Sequence, residues 1–252
     1  MTNKTNLIIM AVVFLFLWLY IKIEPTYENE VIVINMSQDS FRSYPFRVIT
    51  KGNNYNEELQ YYHNDNVYIN DGNLILEARK EEYKNHIYTS GKITTESYVE
   101  FLYGEVEIRM KHPKGDGCLS AIWLLPIDEI IMPEIDVVEV LGSKPNELWS
   151  VLHYSDQGIQ KREFETIEVE DEDAFHIYKL KWSEDVIAWY VNDAKVMSLS
   201  SHIPDVRMYL LINLAIGGIW PKDPQNTDFP VRLEIDYIKV CPENEECIWV
   251  YY

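Results

Sequence analysis

The chain has 252 residues, with 41 Asp and Glu against 22 Lys and Arg, for a net charge of −19. So acidic a protein repels phosphate backbones and anionic headgroups, which excludes nucleic acid as a partner and favours a neutral or cationic substrate. With 47% hydrophobic and 13% aromatic residues the chain is not disordered, and its length suits one large domain.

In chain order, the first feature is an uninterrupted apolar run over residues 7–21, with Lys4 before it and Lys22 after it. Its length lies between a signal-peptide core and a bilayer-spanning helix. No small-residue cleavage pattern follows, because Leu19, Tyr20, Ile21 and Ile23 are bulky. Residues 1–23 therefore read as a signal-anchor or signal peptide, and residues 24–252 as a domain that is secreted or membrane-anchored outside the cytosol.

From Glu30 onwards no helix-length amphipathic segment occurs. Strand-sized apolar or alternating stretches recur instead, at residues 31–34, 73–78, 104–110, 121–125, 135–141, 178–182, 186–191, 208–214 and 233–240. Turn signals separate them, among them Asp71-Gly72, Asn192-Asp193 and Gly217-Gly218. The pattern predicts an all-β sandwich of two antiparallel sheets, with the acidic run 163–173 as a solvated loop or edge. Cys241 and Cys247 enclose an acidic turn and can pair in an oxidising compartment, which leaves Cys118 as inert packing.

The most informative stretch is Glu134-Ile135-Asp136-Val137-Val138-Glu139. On a strand, Glu134 and Asp136 share one face and Glu139 has the wrong parity. A one-residue bulge at Val137-Val138 restores it and aligns three acids. Neighbouring carboxylates cannot all ionise comfortably, so their protonation is coupled. One ionised and one protonated carboxylate is what glycoside hydrolysis with retention requires. Two other readings fit the hexad alone: a half-buried strand with a charged solvent face, and a calcium site, although a straight strand wraps an ion poorly.

The hexad resembles the Glu-x-Asp-x-x-Glu signature of glycoside hydrolase family 16, in its bulged, laminarinase-like form. Other segments are similar to that family in its order: Glu58-Leu59-Gln60-Tyr61-Tyr62, Tyr88-Thr89-Ser90-Gly91-Lys92, Tyr103-Gly104-Glu105-Val106-Glu107-Ile108-Arg109, Ala121-Ile122-Trp123-Leu124-Leu125-Pro126 and Gly217-Gly218-Ile219-Trp220-Pro221. The resemblance runs from about Glu58 to Val240. It implies a β-jelly roll (concanavalin A-like) with a concave cleft, working as a monomer on a neutral β-glucan. The implied activity is that of a retaining endo-β-glucanase cutting β-1,3 or mixed β-1,3/1,4 bonds.

By the same resemblance Glu134 is the nucleophile, Glu139 the general acid/base and Asp136 the residue between them. Trp123 and Trp220 are implied to stack on sugar, His153 to bond the acid cluster, and Arg79 and Asn213 to donate to sugar hydroxyls. No cofactor is implied. Some relatives hold a structural calcium, for which Asp236 alone matches a usual ligand. The chain departs from the family at Leu119-Ser120, where Trp-Pro is common, and at Glu57, where Asn is common; both changes are expected to remove cleft contacts. Two rival functions are a glucan transglycosylase and a non-catalytic glucan-binding module, and relatives of the second kind typically lack one or both catalytic acids.

Overall fold

Strands that alternate apolar and polar side chains bury one face and must pack it on a second layer. The computed structural model describes residues 31–35, 45–52, 55–128 and 132–252, so the apolar run at 7–21 lies outside the described residues. A nine-stranded sheet follows the path Val31–Asn35, Cys247–Tyr251, Val231–Pro242, Gly104–Lys111, His176–Trp182, Ile187–Val191 and Ala194–Leu199, with Asn73–Ala78 also on Val231–Pro242. An eight-stranded sheet follows the path Ile159–Glu168, Glu147–Asp156, Glu134–Leu141, Cys118–Pro126, Met208–Ile216, Lys92–Thr94 and Arg47–Val48. Pairing in both is antiparallel except between Val31–Asn35 and Cys247–Tyr251. The all-β jelly roll expected from the sequence is what the chain forms.

Val106, Ile108 and Met110 of the first sheet and Ile122, Leu124, Ile135, Leu210 and Ile212 of the second belong to one fully buried core. Each such side chain contributes about 1.5–3 kcal/mol by leaving water. The acidic run begins on Ile159–Glu168, an edge strand exposed along nearly its whole length, and continues into the loop that follows it. Its Lys161, Arg162, Glu163 and Glu165 keep that open edge from pairing with another chain. Cys241 and Cys247 form a disulfide, and Cys118 is buried, its thiol pushed up to about 12 chiefly by burial, so it is no nucleophile.

On the outward face of Asn73–Ala78, the Glu77 carboxylate accepts from the Tyr68 hydroxyl (2.6 Å), Arg79 Nε (2.5 Å) and Arg232 Nε (2.7 Å). Burial alone pushes this carboxyl up, but the Tyr68 hydroxyl and the two guanidiniums outweigh it and hold Glu77 below its ordinary range. Its stabilisation is therefore present above the unfolded-state carboxylate pKa and is lost as pH falls through the folded value. Glu77→Ala is expected to cost about 2–3 kcal/mol, less than for a fully buried pair because both guanidiniums reach solvent. Thermal melts of the variant and the parent check this, and the gap between them should narrow on acidification.

Candidate active site

The extra residue that realigns Glu139 is visible in the register of both neighbouring strands. Asp136 and Glu139 lie opposite Val151 and Trp149, three residues against two, and Asp136 and Val138 lie opposite Trp123 and Ile122. Val137 is thus the bulged residue, as the parity argument required. A bulge frees ladder carbonyls, and buried carbonyls need donors. Trp189 Nε1, from the core of the other sheet, donates to Asp136 O at 2.9 Å, and Ser150 Oγ donates to Val137 O at 3.1 Å.

Glu134, Asp136 and Glu139 share the face turned away from the core. Register extends that face sideways: Glu139 lies opposite Ala121 and Trp149, Ala121 opposite Asn213, and Asn213 opposite Lys92. Asp136, Asn213 and Lys92 are nonetheless buried, so this outward face is walled. One wall is a three-stranded sheet of Lys51–Gly52, Gln60–Tyr62 and Tyr88–Ser90. It is tied down by Gln60 Oε1, which accepts from Ile216 N at 2.8 Å, and by the bridge between Glu58 and Gly217.

Trp123 Nε1 donates to Asn213 Oδ1 at 2.7 Å. Since an indole N–H only donates, Asn213 must turn its oxygen to it, which leaves the amide NH2 for another acceptor. Lys92 Nζ stands 4.5 Å above the Trp123 ring and 5.6 Å from the Tyr62 ring. His153 Nε2 lies 3.3 Å from Asp136 Oδ2, which is buried and not aligned to accept a hydrogen bond from it. The structure therefore brings Trp123, Asn213 and His153 to the three acids.

Trp220 is exposed on the loop after Gly218, edge-on to Trp149 with centroids 5.5 Å apart. Arg79 is not brought to the acids. Its guanidinium is held by Glu77 and by Asp65 O at 2.8 Å, because Arg79 continues the outward face of the other sheet. Of the departures, Leu119 does line the acids' face, but Ser120 points into the core, where its hydroxyl meets His112 Nδ1 at 2.6 Å. The expected loss of a cleft contact at Ser120 is therefore a core substitution instead. Glu57 is exposed with φ +61°, a left-handed conformation that suits Asn better than Glu.

Lys92 is the residue that sequence reasoning missed. A lone Lys in Thr-Ser-Gly-Lys-Ile-Thr-Thr, in phase with a run of small residues, is the signal that marks it. Burial lowers its pKa to about 8, against the opposing charges of Glu58 and Glu134.

Burial likewise raises all three acids. Glu134 is raised by burial, opposed by the charge of His153, by the hydrogen bond from Asp136 and by Lys92. Asp136 is driven well above its ordinary range by burial, then by the charge of Glu134 and the hydrogen bond it shares with it. Glu139 is also raised well above, by burial and then by Asp136 and Glu134. Asp136 and Glu139 are thus driven further towards the neutral form than Glu134. Ligand atoms of Glu134, Asp136 and His153 lie within 4.8 Å of one another, close enough to share a cation, but Lys92 already supplies positive charge beside them. Asp236, the residue matching a calcium ligand of some relatives, gives its carboxylate to the Arg109 guanidinium. That guanidinium competes with any cation for the paired oxygen.

Comparison with known proteins identifies the family. Over 203 residues the chain is 34% identical to endo-1,3-1,4-β-glycanase EglC of Rhizobium meliloti, covering 73% of this chain and 43% of that one. It spans less than half the length of the first curated relatives it matches. The laminarinase catalytic domain of Thermotoga maritima superposes with a TM-score of 0.68 at 34% identity, over 75% of this chain and 84% of that one. An endo-β-1,3-glucanase from Pyrococcus furiosus gives 0.70 at 31% identity, over 78% and 88%. Residues 54–239 match the profile of glycosyl hydrolases family 16, and the chain belongs to that family.

Proposed function

We propose that the protein is a retaining endo-β-glucanase that cuts β-1,3 or mixed β-1,3/1,4 bonds by double displacement. One observation carries the reading: the Val137 bulge sets Glu134 and Glu139 on one walled face, with Asp136 between them. Glu134 attacks the anomeric carbon while Glu139 gives its proton to the departing oxygen. A covalent glycosyl-enzyme results. Glu139, now ionised, takes a proton from the incoming water, whose oxygen displaces Glu134. Trp123 offers a ring face to the sugar, and Asn213 and Lys92 offer donors to its hydroxyls. The chemistry uses side chains alone, so EDTA treatment is expected to leave the rate unchanged.

The acidic cleft suits a neutral glucan and repels sulfated polymers. The test is release of reducing sugar from laminarin and lichenan, with keratan sulfate as the control, followed by chromatography of the products. Hydrolysis of a glucan into oligosaccharides supports the reading. No release from any glucan contradicts it, and products longer than the substrate favour transglycosylation.

Because Glu134 and Glu139 are both raised, activity rises with pH as Glu134 ionises and falls again as Glu139 loses its proton. Lys92→Met removes a positive charge that lowers Glu134, so the acidic limb of kcat should move to higher pH. A limb that stays in place contradicts this assignment.

We also propose that the domain acts as a monomer outside the cytosol, delivered or tethered by residues 1–23. The apolar run and the Cys241–Cys247 disulfide support export. Cell fractionation checks the location, and N-terminal sequencing of the exported protein shows whether residues 1–23 are retained.

A further inference from the structure

Trp123, Asn213 and Lys92 all lie on one side of the acid-bearing strand. A glucan crossing the acids must also pass over the other side, where Glu147–Asp156 and Ile159–Glu168 complete the sheet. Trp149 occupies the register position directly opposite Glu139, one strand over, on the face that carries the acids. Its indole is fixed: Nε1 donates to Glu147 Oε1 at 3.1 Å, and Glu147 is paired in turn with Lys144 at 3.1 Å. Phe164, on the edge strand opposite Val151, stacks on Trp149 with centroids 5.3 Å apart and an interplanar angle of 25°. Trp220 closes the group edge-on to Trp149, and Arg162 holds its guanidinium 5.3 Å from the Phe164 ring.

Exposed apolar surface is costly unless something covers it, and here 45% of Phe164 and 37% of Trp220 are open to solvent. No core position requires a stacked aromatic pair on an outward face at a sheet edge. Strand spacing of about 4.8 Å puts Trp149 and Phe164 one and two steps beyond the acids, within reach of the next pyranose rings of a bound chain. A pyranose has an apolar C–H face that suits an aromatic ring, and hydroxyls at its rim that suit Arg162.

Building on the glucanase reading above, we propose that Trp149 and Phe164, flanked by Trp220, form a platform for the glucosyl rings that lie beyond the cleaved bond on the side away from Trp123. The platform makes the enzyme prefer long chains, and it acts through binding, without touching the reacting atoms.

The test compares the parent with Phe164→Ala and with Trp149→Ala/Phe164→Ala on laminarin, laminarihexaose and laminaritriose. Melting temperatures are measured alongside. For the double variant, kcat/KM on laminarin and laminarihexaose should fall about tenfold, mainly through KM, while laminaritriose changes by less than about twofold. Phe164→Ala alone should show the same pattern, more weakly, with an unchanged melting temperature. An equal loss on all three substrates overturns the platform, since it shows a disturbance of Glu139. Full activity of both variants on laminarihexaose overturns it as well. A parent inactive on every glucan is a different outcome, and it refutes the glucanase reading together with the platform.

Discussion

Glu134→Gln and Glu139→Gln are each expected to lower kcat on laminarin or lichenan by a factor on the order of 10³ or more while leaving the fold intact. The two losses differ in kind. A glutamine at 134 cannot form the glycosyl-enzyme, so no substrate rescues it. A glutamine at 139 still permits attack by Glu134, so an aryl glycoside whose leaving group needs no proton should recover a burst of aryl alcohol from that variant. Glu134→Gln should give no burst. If both variants behave alike with the activated substrate, the division of roles between the two acids is wrong. Asp136→Asn should lose less than either, because an amide still donates to Glu134 as the protonated Asp136 carboxyl does.

The second large effect is expected from Trp189, which never meets the substrate. Its indole N–H satisfies the Asp136 carbonyl at the bulge, and its ring is fully buried in the core. Trp189→Phe keeps most of the ring but leaves that carbonyl without a donor, at a cost of about 1–3 kcal/mol. Relaxation of the bulge then moves Asp136 and Glu139, so kcat should fall roughly tenfold with KM little changed. Ser150→Ala removes the corresponding donor to Val137 O and should produce a milder loss of the same kind. Trp189→Ala adds a cavity and should cost about 3–5 kcal/mol. Paired denaturation curves and steady-state kinetics separate the two contributions; a Trp189→Phe variant that loses stability yet keeps its full kcat contradicts the link between bulge and chemistry.

The acid cluster was legible in the sequence because strand parity is a strict code. Glu134 and Asp136 are two apart, Glu139 is out of phase, and one bulge reconciles them. The donors that hold the bulge were not legible, since Trp189 is 53 positions away and meets Asp136 only through the packing of two sheets. Residues 104–110 were readable from their alternation, and residues 73–78 from their apolar run beside the Asp71-Gly72 turn. The strands Glu147–Asp156 and Ile159–Glu168 were not: the first mixes polar residues into both faces, and the second is exposed on both. That omission also hid Trp149 and Phe164, whose meaning depends on a register that only the folded sheet reveals. Arg79 shows the opposite error. Its neighbour two residues back, Glu77, is a partner on the same strand face, and Arg232 completes the network from a distant strand. Ser120 was within reach, because Leu119, Ala121 and Trp123 share one parity and Ser120 has the other.

The central claim is that Glu134 and Glu139 work by double displacement, which preserves configuration at the anomeric carbon. Proton NMR of the first products of laminarin hydrolysis, recorded before mutarotation sets in, tests it most directly. The account predicts that the β-anomer of the new reducing end appears first and the α-anomer grows in later. Initial appearance of the α-anomer would contradict it.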